Sequence, residues 1–377
     1  MKRRILHVID AIDEGGAEVI LYHIIRKLKH RFDFGVAVLG TFGKLSNAYT
    51  SLEIPIYKYG SRRWNPLTIL KLIKAIRYGN YDLLHCWLYK SSILGPLAAR
   101  WKNRRSIIHD QSDVYPQPLM KMYFPNTLVR FFYLSIYRYM VKISDGIIVL
   151  TPDTWQSYKK HYSVCPERII ILPNVIDTSQ FTLQKDCGAL KKELGVPADA
   201  QLVSMIARLH PQKGWNTFLQ VAQQVQKEFE RTCLFLIIGL GPEEKKLRDY
   251  VESHRIQNVV FMGYRKDIPY LLHNSDIFLL TSTHEPFGIV ILEAMACGCP
   301  VVSTRSSGPA SIVEDGVDGL LSDTGDVQGL TNHILRLLKD KAFAHKLTQN
   351  ARQKITDNYN LELFSSRVES IYEKISG

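Results

Sequence analysis

Two carboxylates, Glu285 and Glu293, stand with seven residues between them in the otherwise apolar stretch 282–300, STHEPFGIVILEAMACGCP. A buried carboxylate without a partner costs several kcal/mol, so each needs a cation, a donor or a ligand. The apolar run 276–281 before them predicts a buried strand, and Gly298 and Pro300 stop helices, so the stretch reads strand, loop, helix. Pro286 suits the first helical turn, where its missing N–H costs nothing. That leaves the amides of Phe287, Gly288 and Ile289 at a helix N-terminus, which attracts phosphate. Glu293 lies further along, and helical side chains lean back towards the N-terminus. The ordinary alternative is a glutamate paired with a structural arginine or capping a loop. Two of them beside one helix end point to a ligand site.

Arg208 and Lys213 are the matching cations. They lie in ARLHPQKG, residues 207–214, after a predicted strand and before a predicted helix over 215–229. Fixed at such a junction, they form a clamp suited to a diphosphate, and the alternative is a solvated surface turn. Gly239-Leu-Gly241 carries two of the three glycines of a dinucleotide loop, a weak signal alone. The sequence contains no Asp-x-Asp to hold a metal against a diphosphate. Arg208, Lys213 and helix-end amides take over that neutralisation, and no metal or cofactor is expected. The P-loop pattern is also absent, which argues against an NTPase.

In the first half, Gly15 and Gly16 follow a strand and open a helix, where the backbone can approach a ligand closely; a plain tight turn is the alternative. His85 and His109 each end a predicted strand, the edge at which open α/β sheets bind ligands. Either is equally read as hydrogen-bonded structure. His109 is the better placed, because the polar run HDQSD follows from it, while His7 reads as a core residue.

The elements that must position these groups are short apolar runs alternating with amphipathic helical patterns. Strands are predicted at 5–9, 35–39, 83–86, 106–109 and 146–150, then at 202–207, 233–238, 259–262, 277–280 and 300–303. That order predicts an α/β protein with two parallel sheets covered by helices, two Rossmann-like halves with a ligand cleft at the carboxyl ends of their strands. The polar stretch 173–186 is the linker candidate. Domains are expected at 1–176 and 177–358, with a terminal helix within 359–377.

A chain of 377 residues, 46% hydrophobic and 22% charged, is that of a soluble globular protein with two domains. No apolar run spans a bilayer, and the basic start MKRR is followed by Asp10 and Asp13 instead of a signal peptide's apolar region. A cytoplasmic protein is expected, its location extending to the inner face of the membrane. The six scattered cysteines, including Cys297 and Cys299, read as small core residues. Residues 1–175 hold 26 Lys and Arg against 12 Asp and Glu, so the net charge of +12 belongs to the first half. Such a half suits an anionic membrane surface or simply a solvated face, and no nucleic-acid module is legible. The aromatic and basic segment 115–142 raises the same question, with Arg62, Arg63 and Trp64 as neighbours; helix packing with aromatic faces inward is expected for 128–143.

These residues together resemble the retaining glycosyltransferases of GT-B architecture, two facing Rossmann domains, and among them the family-4 group. The resemblance covers nearly the whole chain. It rests on HEPFGIVILE followed by AMACGCPVV, on ARLHPQKG, LPNVID at 172–177, GGAE at 15–18 and SGPASIVEDGVDGLL at 307–321. GLGPEE at 239–244 departs from the acidic residue the family commonly has between its glycines. The resemblance implies that Arg208 and Lys213 bind the diphosphate of a nucleotide sugar and that Glu285 contacts sugar hydroxyls. It also implies that the amides of Phe287, Gly288 and Ile289 hold sugar and phosphate, and that Glu293 holds the ribose. His109 would approach the donor sugar, and Gly15 and Gly16 the phosphate and acceptor. The expected activity is transfer of a hexosyl or N-acetylhexosaminyl group from a UDP-sugar to a glycan or lipid-linked acceptor. Alternatives are a sugar-nucleotide epimerase of the same architecture, a non-catalytic membrane-associated binding protein, and, on Gly239 and Gly241 alone, a nicotinamide oxidoreductase.

Overall fold

The structure, a computed structural model, describes residues 2–13, 15–60, 65, 67–111, 126–181 and 188–376. Arg62, Arg63, Trp64, Cys187 and most of segment 115–127 therefore lie outside the described residues. The chain forms two compact units, Met1–Asn174 with Leu361–Gly377, and Val175–Asn360.

The first unit holds a parallel sheet of β1 (Arg4–Ile9), β2 (Asp33–Val38), β3 (Ile56–Lys58), β4 (Leu83–Trp87), β5 (Arg105–His109), β6 (Gly146–Val149) and β7 (Ile169–Ile171). Their spatial order is β3-β2-β1-β4-β5-β6-β7. The second holds β8 (Gln201–Ile206), β9 (Cys233–Ile238), β10 (Val259–Gly263), β11 (Ile277–Leu280), β12 (Val301–Thr304) and β13 (Leu320–Ser322), ordered β10-β9-β8-β11-β12-β13. The central strands are buried along nearly their whole length, as expected of parallel strands covered on both faces. In each sheet the winding direction reverses once, between β1 and β4 and between β8 and β11. Open α/β sheets place their ligands at the carboxyl ends of strands beside such a reversal.

The terminal helix Leu361–Ser376 belongs to the first unit and packs on helix Gly16–Leu28. Arg31 there pairs with Glu369 at 2.5 Å and Glu373 at 3.2 Å, and Lys27 pairs with Glu362. Cys297 and Cys299 are buried thiols in the second unit. Helix Thr127–Ile143 corrects the expectation of inward aromatics: Tyr133, Tyr137, Met140 and Val141 face the core, but Phe131, Phe132 and Tyr139 face solvent. Among the described residues, no helix is long and apolar enough to cross a membrane.

Candidate active site

In the second unit, the loop after β8 and the loop after β11 meet at the sheet's reversal. Leu209 is fully buried and pins the first loop, its amide donating to the Leu240 carbonyl at 3.0 Å. The glycines of GLG are spent on this contact: a Cβ on Gly239 would lie 2.0 Å from the Ala207 carbonyl oxygen, and one on Gly241 2.3 Å from that of Leu209. They serve close packing of two loops. A single turn, Pro211–Lys213, then leads into Gly214 at φ +66, and a Cβ there would strike the Thr281 carbonyl oxygen at 1.9 Å. The Thr281 hydroxyl lies 3.2 and 3.1 Å from the carbonyl oxygens of Lys213 and Gly214, and the Thr283 amide donates to Gln212 at 2.8 Å.

Lys213 is thereby fixed over the end of β11, where its Nζ lies 2.6 Å from Glu285 Oε2. Ser282 Oγ donates to the same oxygen at 3.1 Å, and Glu285 is only 7% exposed. Arg208, on the same loop, is exposed and forms no ion pair among the described residues; its carbonyl is held by Trp215 Nε1 at 3.1 Å. Between the two cations sits His210, whose pKa is lowered by burial and then by the charges of Arg208 and Lys213. Both positive fields thus reach one side chain, which stays neutral more readily than an isolated histidine.

The helix after β11 begins later than expected. It runs Ile289–Ala296, and Gly288 precedes it at φ +94, so Pro286 and Phe287 lie in the loop instead of the first turn. The left-handed conformation at Gly288 supplies the reason, since a residue so placed cannot continue a right-handed helix backwards. Of the three amides, only that of Ile289 opens the helix. Phe287 is buried against the ring of Tyr359, and its backbone lies where a Cβ on Gly308 would be, at 2.3 Å. The Gly308 amide donates to the Glu285 carbonyl at 2.9 Å, which joins the SSGP segment to the same loop. Glu293 follows among the buried Ile291, Leu292, Ala294 and Met295. Part of its surface reaches solvent, yet its carboxyl group is desolvated, which pushes its pKa up to about 7. No side chain among the described residues neutralises it.

In the first unit, Gly15 caps helix Gly16–Leu28 in an extended conformation. A Cβ there would lie 2.3 Å from Glu18 Oε2, so the glycine makes room for a carboxylate folded back under it. Burial pushes Glu18 up to about 7, helped by the charges of Asp13 and Asp10. Asp10, just after β1, accepts the amides of Lys90 at 2.9 Å and Ser91 at 2.8 Å across the sheet's reversal.

His109 ends β5 with no exposed surface. Its Nδ1 lies 3.2 Å from His85 Nε2 and its Nε2 lies 2.9 Å from Gln111 Nε2, while Gln111 and Asn174 exchange amide hydrogen bonds. His85 Nδ1 continues the chain to Tyr372 Oη at 2.7 Å, and the Trp87 ring packs over both imidazoles. Burial lowers His109 to about 3, with a further contribution from His7, and holds His85 well below the usual range for the same leading reason. His7 is buried in β1 and accepts from Trp87 Nε1 at 3.1 Å. Tyr372→Phe leaves His85 with an unmet buried polar atom, so a loss of about 1–2 kcal/mol is expected, read as a fall of several degrees in Tm by calorimetry. An unchanged Tm would show that the helix is held by its apolar face and ion pairs alone.

The family described as Glycosyl transferases group 1 matches residues 188–354, and Glycosyltransferase Family 4 matches residues 14–180. N-acetyl-alpha-D-glucosaminyl L-malate synthase of Bacillus anthracis is 31% identical over 374 residues, 95% of this chain and 93% of that protein. The chain belongs to the group 1 glycosyltransferases. An Escherichia coli relative, UDP-Gal:alpha-D-GlcNAc-diphosphoundecaprenol alpha-1,3-galactosyltransferase, is 25% identical over 309 residues, 81% of this chain and 78% of that one. The crystal structure of Anabaena Alr3699/HepE in complex with UDP and glucose superposes with a TM-score of 0.85 at 23% identity, covering 99% of this chain and 100% of that one. That likeness gives the glycosyltransferase the GT-B fold, with its two Rossmann-like α/β domains.

Within this glycosyltransferase, the structure brings Lys213 to Glu285 and places Arg208, Phe287, Gly288 and Ile289 on the two loops and the helix start around them. Glu293 lies on the helix that follows. His109, Gly15 and Gly16 belong to the first unit. Sequence reasoning passed over His210, Ser282 and Gly308. His210 stood in view between two cations in ARLHPQKG, whereas Ser282 and Gly308 are recognisable only from their contacts with Glu285.

Proposed function

We propose that this glycosyltransferase moves a hexosyl or N-acetylhexosaminyl group from a UDP-sugar to a hydroxyl of a glycan or lipid-linked acceptor in polysaccharide or glycoconjugate synthesis. In this reading it acts in the cytoplasm, with retention of anomeric configuration and without a metal or other cofactor. The UDP and glucose in the Anabaena complex, and the UDP-Gal and diphosphoundecaprenol in the name of the E. coli enzyme, support the donor and acceptor classes. The observation that carries the reading is the partly buried Lys213–Glu285 pair, with Arg208 on the same loop, at the sheet reversal.

Arg208 and Lys213 bind the diphosphate and stabilise the charge that grows as it leaves, the role fixed cations fill in low-dielectric sites. Glu285 orients the sugar through its hydroxyls, and the amides of Phe287, Gly288 and Ile289 hold sugar and phosphate. Glu293 takes the ribose hydroxyls, which supply the partner its carboxylate lacks. The acceptor oxygen attacks the anomeric carbon on the face from which UDP departs. The sugar–phosphate C–O bond breaks, the new C–O bond forms, and the acceptor proton passes to the leaving phosphate oxygen. His109, with a pKa of about 3, serves as a hydrogen-bonding group and not as a base. Gly15 and Gly16 keep the close backbone approach to phosphate and acceptor that the resemblance implies.

A panel of sugar nucleotides tests this by thermal stabilisation and slow hydrolysis. At a donor concentration about a hundredfold above Kd, the stabilisation is about 2.7 kcal/mol. One UDP-sugar is expected to raise Tm above the rest and to be hydrolysed with EDTA present. A panel in which no sugar nucleotide shifts Tm would overturn the assignment.

A further inference from the structure

Helix Thr127–Ile143 carries an apolar face with no partner among the described residues. Asn126 caps it, its side chain accepting from the amides of Leu128 at 2.9 Å and Val129 at 3.2 Å. Its inner face is committed: Tyr133, Tyr137, Met140 and Val141 sit in the core, and Tyr137 Oη is 2.7 Å from Tyr158 Oη. The helix therefore cannot roll to hide its other side. On that side Leu128, Phe132, Ile136 and Tyr139 recur at i, i+4, i+8 and i+11, one continuous stripe of a 3.6-residue helix. Leu128 is 69% exposed, and Phe131 and Phe132 are each 63% exposed. Large aromatic and aliphatic side chains grouped on one surface mark an interaction site, unlike the scattered exposed residues of any protein.

We infer that this face docks on an anionic bilayer surface, an interaction beyond the transfer reaction itself. The helix contains Arg130, Arg138 and Lys142 and no acidic residue. Arg138 and Lys142 are exposed and flank the stripe on the side of Phe131. A second copy is the poorer occupant, because a two-fold contact sets the same patch against itself and would oppose these like charges. A bilayer of negative headgroups meets both demands, taking the aromatic and aliphatic groups at the acyl boundary and the cations at the headgroups. The excess of 26 basic over 12 acidic residues in positions 1–175 adds attraction of the same sign.

The test is flotation of the full chain with phosphatidylcholine vesicles and with vesicles in which about a third of the lipid is phosphatidylglycerol. Wild type is expected to float with the second and not the first, and to be released by salt. The pair Phe132→Ser with Ile136→Ser, and separately Arg138→Glu with Lys142→Glu, should each lower partitioning by about tenfold. Because these side chains face solvent, Tm and stabilisation by a sugar nucleotide should hold, which separates this inference from the reading of the active site. Absence of flotation, or flotation equal in wild type and both variants, overturns it. So does a concentration-dependent dimer that the serine pair abolishes, which would assign the face to a second copy.

Discussion

Lys213→Ala is expected to lower turnover by about 10²–10³-fold, the range for losing one charge-stabilising group at a developing anion. The same change leaves Glu285 buried with Ser282 Oγ, at 3.1 Å, as its remaining side-chain donor among the described residues. Breaking a buried ion pair costs about 3–5 kcal/mol, and the cost here falls below that range because the Lys213 side chain keeps 22% of its surface in solvent. Stability and catalysis are thus confounded in the single variant, and a second substitution separates them. Lys213→Met with Glu285→Gln removes both charges and leaves an amide that can still accept from Ser282. Tm should recover towards wild type, while turnover should remain at or below that of Lys213→Ala, because neither the cation nor the carboxylate is present. Should turnover instead recover along with Tm, the pair would be a structural bridge and the diphosphate site would have to be sought elsewhere.

That pair also marks how far the sequence could be read. Glu285, Arg208 and Lys213 stand out in the sequence as candidates because each lies in a loop between an apolar strand and a helix, the edge at which open α/β sheets bind ligands. Their partnership does not. Lys213 and Glu285 are 72 positions apart and meet because β8 and β11 are neighbours, a fact of strand order. Lys213 pairs with Glu285, and Arg208, on the same loop, is exposed. The long strands were legible because they are buried on both faces and read as unbroken apolar runs. The strands passed over, β3, β7 and β13, have three residues each and lie at sheet edges, too short to show a period. Pro286 misled for a local reason. It suits a first turn, but Gly288 at φ +94 intervenes, and a glycine two residues after a proline carries no helix start of its own. In helix Thr127–Ile143 aromatics occupy both faces, so periodicity could not say that Phe131 and Phe132 point outward. The His85–Tyr372 hydrogen bond joins residues 287 positions apart and leaves no mark in the sequence at all.

Glu293→Gln is expected to move stability and donor binding in opposite directions. In the folded protein the carboxyl group is desolvated, and its pKa is raised to about 7 from an ordinary 4.5. Folded protein therefore holds the proton more tightly than unfolded chain does. The stability cost is complete above about pH 7, shrinks as pH falls through the folded pKa, and is gone below the unfolded value. A glutamine carries no charge to desolvate, so the ligand-free variant should melt above wild type at about pH 8, by roughly 2–4 °C per kcal/mol recovered, and the gap should close towards about pH 5. Donor binding should fall meanwhile. Ribose hydroxyls give a carboxylate charge-assisted hydrogen bonds worth about 1.5–3 kcal/mol, so Kd should rise about 10- to 100-fold. Wild-type affinity should also weaken as pH drops through about 7, where protonation takes the acceptor away, and the variant's affinity should stay flat. Titration calorimetry across this range decides the matter. A variant less stable than wild type, with unchanged donor affinity, would mean that Glu293 has a structural partner and does not hold the ribose. The opposite signs expected here arise from one cause in the proposed role: the fold desolvates the Glu293 carboxyl group, and the ribose hydroxyls would supply its partner.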